Sequence, residues 1–283
     1  MKRMTGFSAD WLALREEADH AARNEELGFR VASHLASHEC PLILDLGCGT
    51  GSNLRALAPL LGRKQYWHLI DLDAGLLAHA KAQLRAWADY AEVVHNSLVL
   101  YWGEQQITVD FSQTDINKDL PILFNNPPQL ITAAAFFDLV SEQCIADFAQ
   151  QLMQRSTAFY TVLTYDGEEQ WHPPYPEDRT VLAAFHRHQG LDKGFGPAAG
   201  PKATTCLQQA FSQGGYEVMT APSPWHLNAQ EHPDLMLALG QGIGEAAAHF
   251  ASADAIHNWT DALHYRRHAV IGHLDLFAKP IAG

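Results

Sequence analysis

The sequence predicts an α/β protein: a doubly wound, mostly parallel seven-stranded sheet, with an N-terminal helix and helical insertions before the last strands. Three observations carry that expectation. A short apolar run, residues 42–46, ends in a glycine-rich turn and leads into a helical pattern. A second strand-and-helix pair, 66–70 and 74–88, follows at once, and this alternation builds an open parallel sheet. The chain has 283 residues, 47% of them hydrophobic, near the upper size for one continuous core. A single domain over residues 1–283 is therefore expected.

Residues 8–38 read as helix. Ser8 or Asp10 can cap it, and Trp11, Arg15, Asp19 and Arg23 recur every four residues along one stripe. Pro41 punctuates before the first strand. Leu54, Leu57, Ala58 and Leu61 keep helical spacing after Gly51, and Gly62 ends that helix. Residues 98–102 and 107–111 read as a hairpin turning at Gly103-Glu104, its second arm leading to Asp115. Residues 130–137 form the fourth core strand, with a helix at 141–154. Residues 158–165 form the fifth, stopped by the turn signal Asp166-Gly167. From there the alternation weakens. A proline-rich loop at 171–176 precedes a helix at 179–188 and a glycine- and proline-rich loop at 190–201. Strands at 216–220 and 273–278 enclose helices from about 233 to 264. The expected organisation is a helical cap (1–38), a ligand-binding core (40–166), and substrate-side insertions with the last strands (167–283).

Several classes of function are disfavoured. A net charge of −13 with neutral histidines repels a phosphate backbone, so nucleic acid is not an expected partner. The basic cluster Arg266-Arg267, beside His264 and His268, is too short to reverse that. No run approaches the ~20 apolar residues of a membrane span, and the start of the sequence has no apolar signal segment. The four cysteines form no C-x-x-C pair, which suits a reducing compartment and argues against zinc or a disulfide framework. His186-x-His188 has no cysteine or carboxylate at ligand spacing, so no metal is expected. The expectation is a cytoplasmic protein acting on small molecules. The sequence carries no reading of oligomeric state.

The sharpest feature is Asp45-Leu46-Gly47-Cys48-Gly49-Thr50-Gly51, set between a strand and a helix. Glycines there let the backbone turn tightly and approach a ligand, and the helix behind offers free N–H groups. In an open parallel sheet, ligands bind in this crevice at the carboxyl ends of the strands. A dinucleotide fingerprint needs its third glycine at position 52, which is Ser52. The spacing is instead G-x-G-x-G, with an acidic residue two places before the first glycine. Asp71 ends the second strand, where a carboxylate can accept from both hydroxyls of a ribose. Asp73 competes for that role, or caps the helix from Ala74.

Residues 45–51 resemble motif I of the class I S-adenosylmethionine-dependent methyltransferases, and the stations after it resemble theirs over residues 40–166, with a weaker continuation to the last strand. The resemblance implies a Rossmann-like fold and S-adenosyl-L-methionine as cofactor, held by Asp45, Gly47, Cys48, Gly49 and Gly51, with Asp71 on the ribose. It implies that Asp115 receives the adenine amino group while Ile116 and Leu72 pack on the two ring faces. It also places the small segment Ala133-Ala134-Ala135 beside the methionine part. The plainer readings are a turn aspartate for Asp115 and tight strand–helix packing for Ala133. Asn126-Pro127-Pro128 precedes its strand and is followed by Gln129, unlike the Asn-Pro-Pro-aromatic pattern of amino-methylating nucleic-acid enzymes.

Methyl transfer from a sulfonium is an in-line displacement that depends on alignment, with a base needed only for a hydroxyl or protonated amine acceptor. Asp138, just past the fourth strand, and Tyr165 and Asp166, at the end of the fifth, are the candidate base or substrate anchors; otherwise they are caps and loop residues. The stripe of the first helix lays Arg15 over the cofactor or a carboxylate, or belongs to a docked amphipathic helix with an i,i+4 ion pair. The loop 192–197, with glycines around Phe195, is a lid or an ordinary surface loop. Trp171, His172, Tyr175, His186, His188 and Trp225 line a substrate pocket or pack an inserted subdomain. The expected acceptor is a small molecule. The alternative keeps the cofactor but transfers or cyclises its aminocarboxypropyl arm, releasing methylthioadenosine.

Overall fold

Successive residues of a strand face opposite sides of a sheet, and in the centre of this sheet both sides are apolar. In β1 (Leu42–Leu46), Ile43 joins one buried cluster while Leu44 and Leu46 join another. The computed structural model describes residues 7–118 and 126–281. β1 pairs in parallel with β2 (Lys64–Asp71) and β6 (Leu130–Ala134), β2 with β5 (Gln105–Gln113), and β6 with β7 (Ala158–His172). β10 (His268–Pro280) runs antiparallel to β7 and carries β8 (Tyr216–Pro222) on its far side. Seven of the strands run in the order β5-β2-β1-β6-β7-β10-β8, but among the described residues the sheet is larger than the seven strands expected. β3 (Tyr90–Val94) and β4 (Ser97–Trp102) extend the β5 edge, and β9 (Trp225–Asn228) pairs with β10, so the sheet has ten strands.

On one face lie α2 (Glu25–Leu35), α3 (Ser52–Leu57) and α4 (Ala74–Trp87), whose leucines pack on Ile43, Trp67 and Leu69. On the other lie α5 (Glu142–Met153) and α7 (Ala203–Gln213), packed on Leu44, Ile131 and Phe159. A third cluster joins α1 (Ala9–Ala22), α6 (Asp178–Gln189), α8 (Pro233–Ala247) and α9 (Ala253–Ala262) to β9 and the outer stretches of β7 and β10. Chain order thus reverses around β1, between β2 and β6, which is the switch point where such sheets bind ligands.

Four expectations need correction. The single helix over 8–38 is two, because Arg23 leaves helical geometry and Asn24 caps the second, accepting from Leu27 N–H at 3.1 Å. The Asn24 N–H in turn donates to the buried Asp275 carboxylate at 2.9 Å. The fourth core strand stops at Ala134, where Ala135 turns left-handed (φ 50°) into a 3₁₀ turn, Phe137–Leu139. The fifth does not stop at Asp166-Gly167. Tyr165 pairs with His273 and Glu169 with Ile271, so residues 166–168 bulge opposite Gly272 and the strand continues to His172. α7, β3 and β9 were not anticipated: β9 spans only four residues, and β3 exposes Tyr90, Val93 and Val94 and so carries no clean alternation. Among the described residues no helix is long and apolar enough to cross a membrane.

Candidate functional site

The glycine loop forms the floor of a cavity of about 580 Å³. Its backbone is fixed by the Cys48 N–H, which donates to the Ile70 carbonyl at 2.9 Å, and by the Gly51 N–H, which donates to the Cys48 carbonyl at 2.8 Å. Gly47 and Gly49 both hold positive φ (63° and 54°). A Cβ on Gly47 would lie 2.8 Å from the Phe136 ring, and one on Gly49 would lie 2.9 Å from Leu12 of α1. The loop is therefore pressed between Phe136 and the first helix, a cradle that side chains would fill.

Asp71 stands at the tip of β2 beside this loop. Its carboxylate accepts from Gly49 N–H at 2.8 Å and from Asp73 N–H at 2.9 Å. A carboxylate offers about four acceptor positions, so acceptor capacity remains for two hydroxyls. Burial raises its pKa, while the two backbone donors pull the other way. Asp73 caps α4, accepting from Gly75 N–H at 2.7 Å and Leu76 N–H at 3.2 Å. Farther along, Asp115 accepts from Lys118 Nζ at 2.7 Å, and it lines the cavity together with Ile116 and Leu72.

Three expected contacts stand one layer behind the wall. Asp45 is fully buried beneath the loop and does not line the cavity. It accepts from Asn53 Nδ2 at 2.7 Å, a group shared with Thr132 Oγ1 at 3.1 Å. Its other oxygen has no partner, and burial pushes its pKa up to about 7. Gly51 starts α3 in the left-handed region (φ 77°) and lies outside the lining. Ala133 is buried in the sheet, paired with Leu46, and the small residues that reach the cavity are Ala134 and Ala135. Cys48 does line it, with a thiol that burial holds well above its usual pKa.

The roof is α1. Arg15 and Asp19 form a buried two-bond pair (2.8 and 3.0 Å), Asp19 also accepts from Trp225 Nε1 at 3.1 Å, and the guanidinium lies 5.0 Å from the Trp225 ring. Arg23 donates to Asn53 Oδ1 at 2.9 Å and keeps a buried Nε without a partner. Arg15, Asp19 and Arg23 all line the cavity, so the stripe is both an internally paired helix face and part of the site. Arg55–Glu16 bonds at 2.7 Å and His20–Ser52 at 2.8 Å tie α1 to α3.

The loop at 192–197 is a pinned turn. Asp192 accepts from Gly194 N–H at 2.7 Å and Gly196 N–H at 3.0 Å, Asn117 Nδ2 donates to the Gly194 carbonyl at 2.9 Å, and the Phe195 ring meets Phe136 edge-on at 5.6 Å. It brings Lys193 and Phe195 to the cavity wall. Asp138 sits in the 3₁₀ turn between two lining residues, Phe136 and Leu139, and is itself 8% exposed. Its Oδ1 has no partner. Burial lifts its pKa to about 6, against the pull of Arg15 and Lys193.

Tyr165 and Asp166 do not line the cavity, because β7 carries them past it. The Tyr165 hydroxyl donates to Glu169 at 2.8 Å and meets His186 at 3.0 Å, while Asp166 lies in the bulge, where a Cβ on Gly272 would collide with its carboxylate. None of Trp171, His172, Tyr175, His186, His188 and Trp225 lines this cavity either. Trp171 and Trp225 pack the third cluster. Among the polar lining residues, the sequence reading assigned no contact to Arg23, Asn53 or Lys193. Arg23 belonged to the helical stripe, whereas Asn53 and Lys193 carry no local signal. Among the described residues no group of three His, Cys, Asp or Glu side chains is placed to hold a metal ion.

A doubly wound sheet with a glycine cradle at its switch point and a carboxylate at the neighbouring strand tip is an arrangement in which α/β proteins bind nucleotides. Comparison narrows this. Residues 44–167 match the family model described as a methyltransferase domain. No curated protein matches the sequence. Among solved structures, the chain is similar to a cyclopropane-fatty-acyl-phospholipid synthase-like protein from Lactobacillus casei (15% identity, 97% of this chain and 94% of that one, TM-score 0.55). It is also similar to a SAM-dependent methyltransferase from Thiobacillus denitrificans in complex with S-adenosyl-L-homocysteine (14%, 96% and 99%, TM-score 0.47). A third, from Geobacter sulfurreducens and carrying the same ligand, shares 15% identity over 95% and 98%, TM-score 0.46. Residues 44–167 thus carry a methyltransferase domain, consistent with the class I S-adenosylmethionine-dependent methyltransferases.

Proposed function

We propose that this protein methylates a small-molecule acceptor at the 580 Å³ cavity, in the cytoplasm. The observation that carries this reading is the continuity of one cavity from the adenosine stations (Asp71, Leu72, Asp115, Ile116) through the glycine cradle to Phe136 and Leu139, which flank Asp138 in chain although Asp138 itself does not line it. The residues present suit the cofactor. Asp71 retains acceptor capacity for the ribose, the loop leaves no room for side chains, and Arg23 offers an unpartnered buried Nε next to the cradle for a carboxylate. When bound, S-adenosylmethionine supplies an electrophilic methyl group on a sulfonium. The chain's own contribution is alignment and exclusion of water: α1 covers the cradle and Phe136 supports it from below. Asp138, with a pKa near 6, is the proposed proton acceptor for a hydroxyl or ammonium acceptor at neutral pH. The net charge of −13 favours small acceptors over nucleic acid, and four unpaired cysteines suit a reducing compartment.

The test is product analysis. Purified protein incubated with S-adenosylmethionine and fractionated metabolite extract is expected to release S-adenosylhomocysteine together with a product heavier by one methylene. Release of methylthioadenosine instead means that the aminocarboxypropyl arm has moved, and overturns the reading.

A further inference from the structure

The cavity wall carries Arg15, Arg23 and Lys193, and the three are used differently. Arg23 is bonded to Asn53 beside the glycine cradle, at the end proposed for the methionine carboxylate. Lys193 is already engaged, its Nζ lying 3.5 Å from His188 Nδ1. A guanidinium, by contrast, has donors on more than one edge, and in Arg15 a single edge is taken. Asp19 accepts from Nε at 2.8 Å and from Nη2 at 3.0 Å. The Nη1 end makes no hydrogen bond among the described residues and is not sealed in the interior. Since Arg15 lines the cavity, that end is offered to whatever enters it.

The guanidinium plane is fixed before any ligand arrives. Asp19 holds one edge and accepts in turn from Trp225 Nε1 at 3.1 Å, and the Trp225 ring lies 5.0 Å from the guanidinium carbon. α1, which carries both residues, is tied to α3 by Arg55–Glu16 and His20–Ser52. A planar fork held in this way presents its remaining donors in the geometry that a second carboxylate needs. Arg15 is only 8% exposed, and charged donors left unmet in so dry a place gain most from an anion. The surroundings select which anion. Asp19 already shares the Arg15 charge, and Asp138 lies within electrostatic reach of it. A dianion would meet both carboxylates against one shared cation, whereas a monoanion leaves less excess charge. Phe136, Leu139 and Phe195 line the same space and suit an apolar body. An anion on Arg15 also offsets the charge that holds the Asp138 pKa down, which makes Asp138 a better proton acceptor.

We propose that Arg15 anchors the acceptor: the acceptor carries a carboxylate, which the open Nη1–Nη2 end of the guanidinium holds while its apolar body lies along Phe136, Leu139 and Phe195. This rests on the reading of the cavity as a methyl-transfer site and adds the class of substrate. It makes Arg15 a specificity-determining residue and Asp19 the residue that positions it, both distinct from the stations that hold the nucleoside.

The experiment uses the full chain saturated with S-adenosylhomocysteine and three probes of similar shape: benzoate, benzamide and phenyl phosphate. Ligand-detected NMR titration is run on wild type, on Arg15→Met, and on Arg15→Met combined with Asp19→Asn. The double variant removes both charges and keeps an amide oxygen for Trp225 Nε1, so Asp19 is not left buried without its partner. S-adenosylhomocysteine affinity is measured calorimetrically on the same samples. Benzoate is expected to bind wild type roughly tenfold more tightly than benzamide, the ratio of a charge-assisted hydrogen bond, and more tightly than phenyl phosphate. Both variants are expected to lose the preference for benzoate while S-adenosylhomocysteine affinity stays within about threefold of wild type. Equal binding of benzoate and benzamide by wild type, tighter binding of phenyl phosphate, or an undiminished preference in the double variant overturns the proposal. So does a hundredfold loss of S-adenosylhomocysteine affinity in the variants, which would assign Arg15 to the cofactor. Failure of wild type to bind S-adenosylhomocysteine overturns the cofactor site instead, so the two readings fail separately.

Discussion

The floor and the roof of the cavity are built differently. The floor is backbone: a glycine turn, two strand tips and one carboxylate, Asp71, held by two main-chain N–H groups. The roof is made of side chains: Arg15 on Asp19, Asp19 on Trp225, and a turn that carries Lys193. Backbone geometry of this kind recurs wherever a strand, a glycine turn and a helix follow one another, and it recognises what every such nucleoside shares. The roof's side-chain pairs depend instead on particular residues of α1 and β9 meeting, Arg15 and Asp19 with Trp225. The two halves therefore differ in what holds them, main chain in the floor and side-chain pairs in the roof.

Changes in the floor should strike cofactor affinity hardest. Asp71→Ala removes acceptors for two hydroxyls and leaves the Gly49 and Asp73 N–H groups without their partner. At about 1.5–3 kcal/mol per charged hydrogen bond, S-adenosylhomocysteine affinity is expected to fall on the order of a hundredfold by calorimetry. Gly49→Val forces a β-branched residue into φ 54° and against Leu12, with a loss of similar size. Near-wild-type affinity in both variants, with circular dichroism unchanged, would mean that the cavity floor does not hold the nucleoside.

A change in the roof should show first as lost stability. Asp19→Ala leaves Arg15 buried without its carboxylate and the Trp225 N–H without an acceptor. The expected destabilisation is about 2 kcal/mol in denaturant unfolding, with cofactor affinity reduced less than in Asp71→Ala. If affinity falls as far as it does in Asp71→Ala, floor and roof are one unit and the contrast between them is lost.

The same contrast explains what was legible in the sequence. The parallel core could be read because each of its elements carries its own signal: the run at 42–46, the glycine turn, Asp71 at a strand tip, Ala74 after a capping Asp73. Asp166-Gly167 misled because a turn signal inside a long strand is absorbed as a bulge when a facing glycine, Gly272, makes room. Asn53 and Lys193 were invisible for a different reason. Their roles depend on partners far away in sequence, Arg23 and Thr132 for Asn53, and Asn117 and Asp138 around the turn of Lys193. Asp45 was legible as part of a motif, but only burial shows that it braces the loop from behind.

That bracing role gives the smallest effect and the cleanest discrimination. With a folded pKa raised to about 7 against an ordinary value near 3.9, Asp45 binds its proton more tightly in the folded state. Its contribution to stability is therefore fully present below about pH 4 and is lost as pH rises through 7. Asparagine keeps the acceptor for Asn53 Nδ2 and carries no charge to desolvate, but it places an amide N–H₂ where the unpartnered oxygen was. The two effects oppose each other, so Asp45→Asn is expected to gain about 1 kcal/mol over wild type at pH 8 and to lose that advantage by pH 5. Other buried carboxylates titrate in the same window but are common to both proteins, and largely cancel in the difference. Because Asp45 does not line the cavity, S-adenosylhomocysteine affinity should stay within about threefold of wild type. Parallel stability profiles across that range would show that Asp45 is not the buried, proton-retaining group. A hundredfold loss of affinity would return it to the floor beside Asp71.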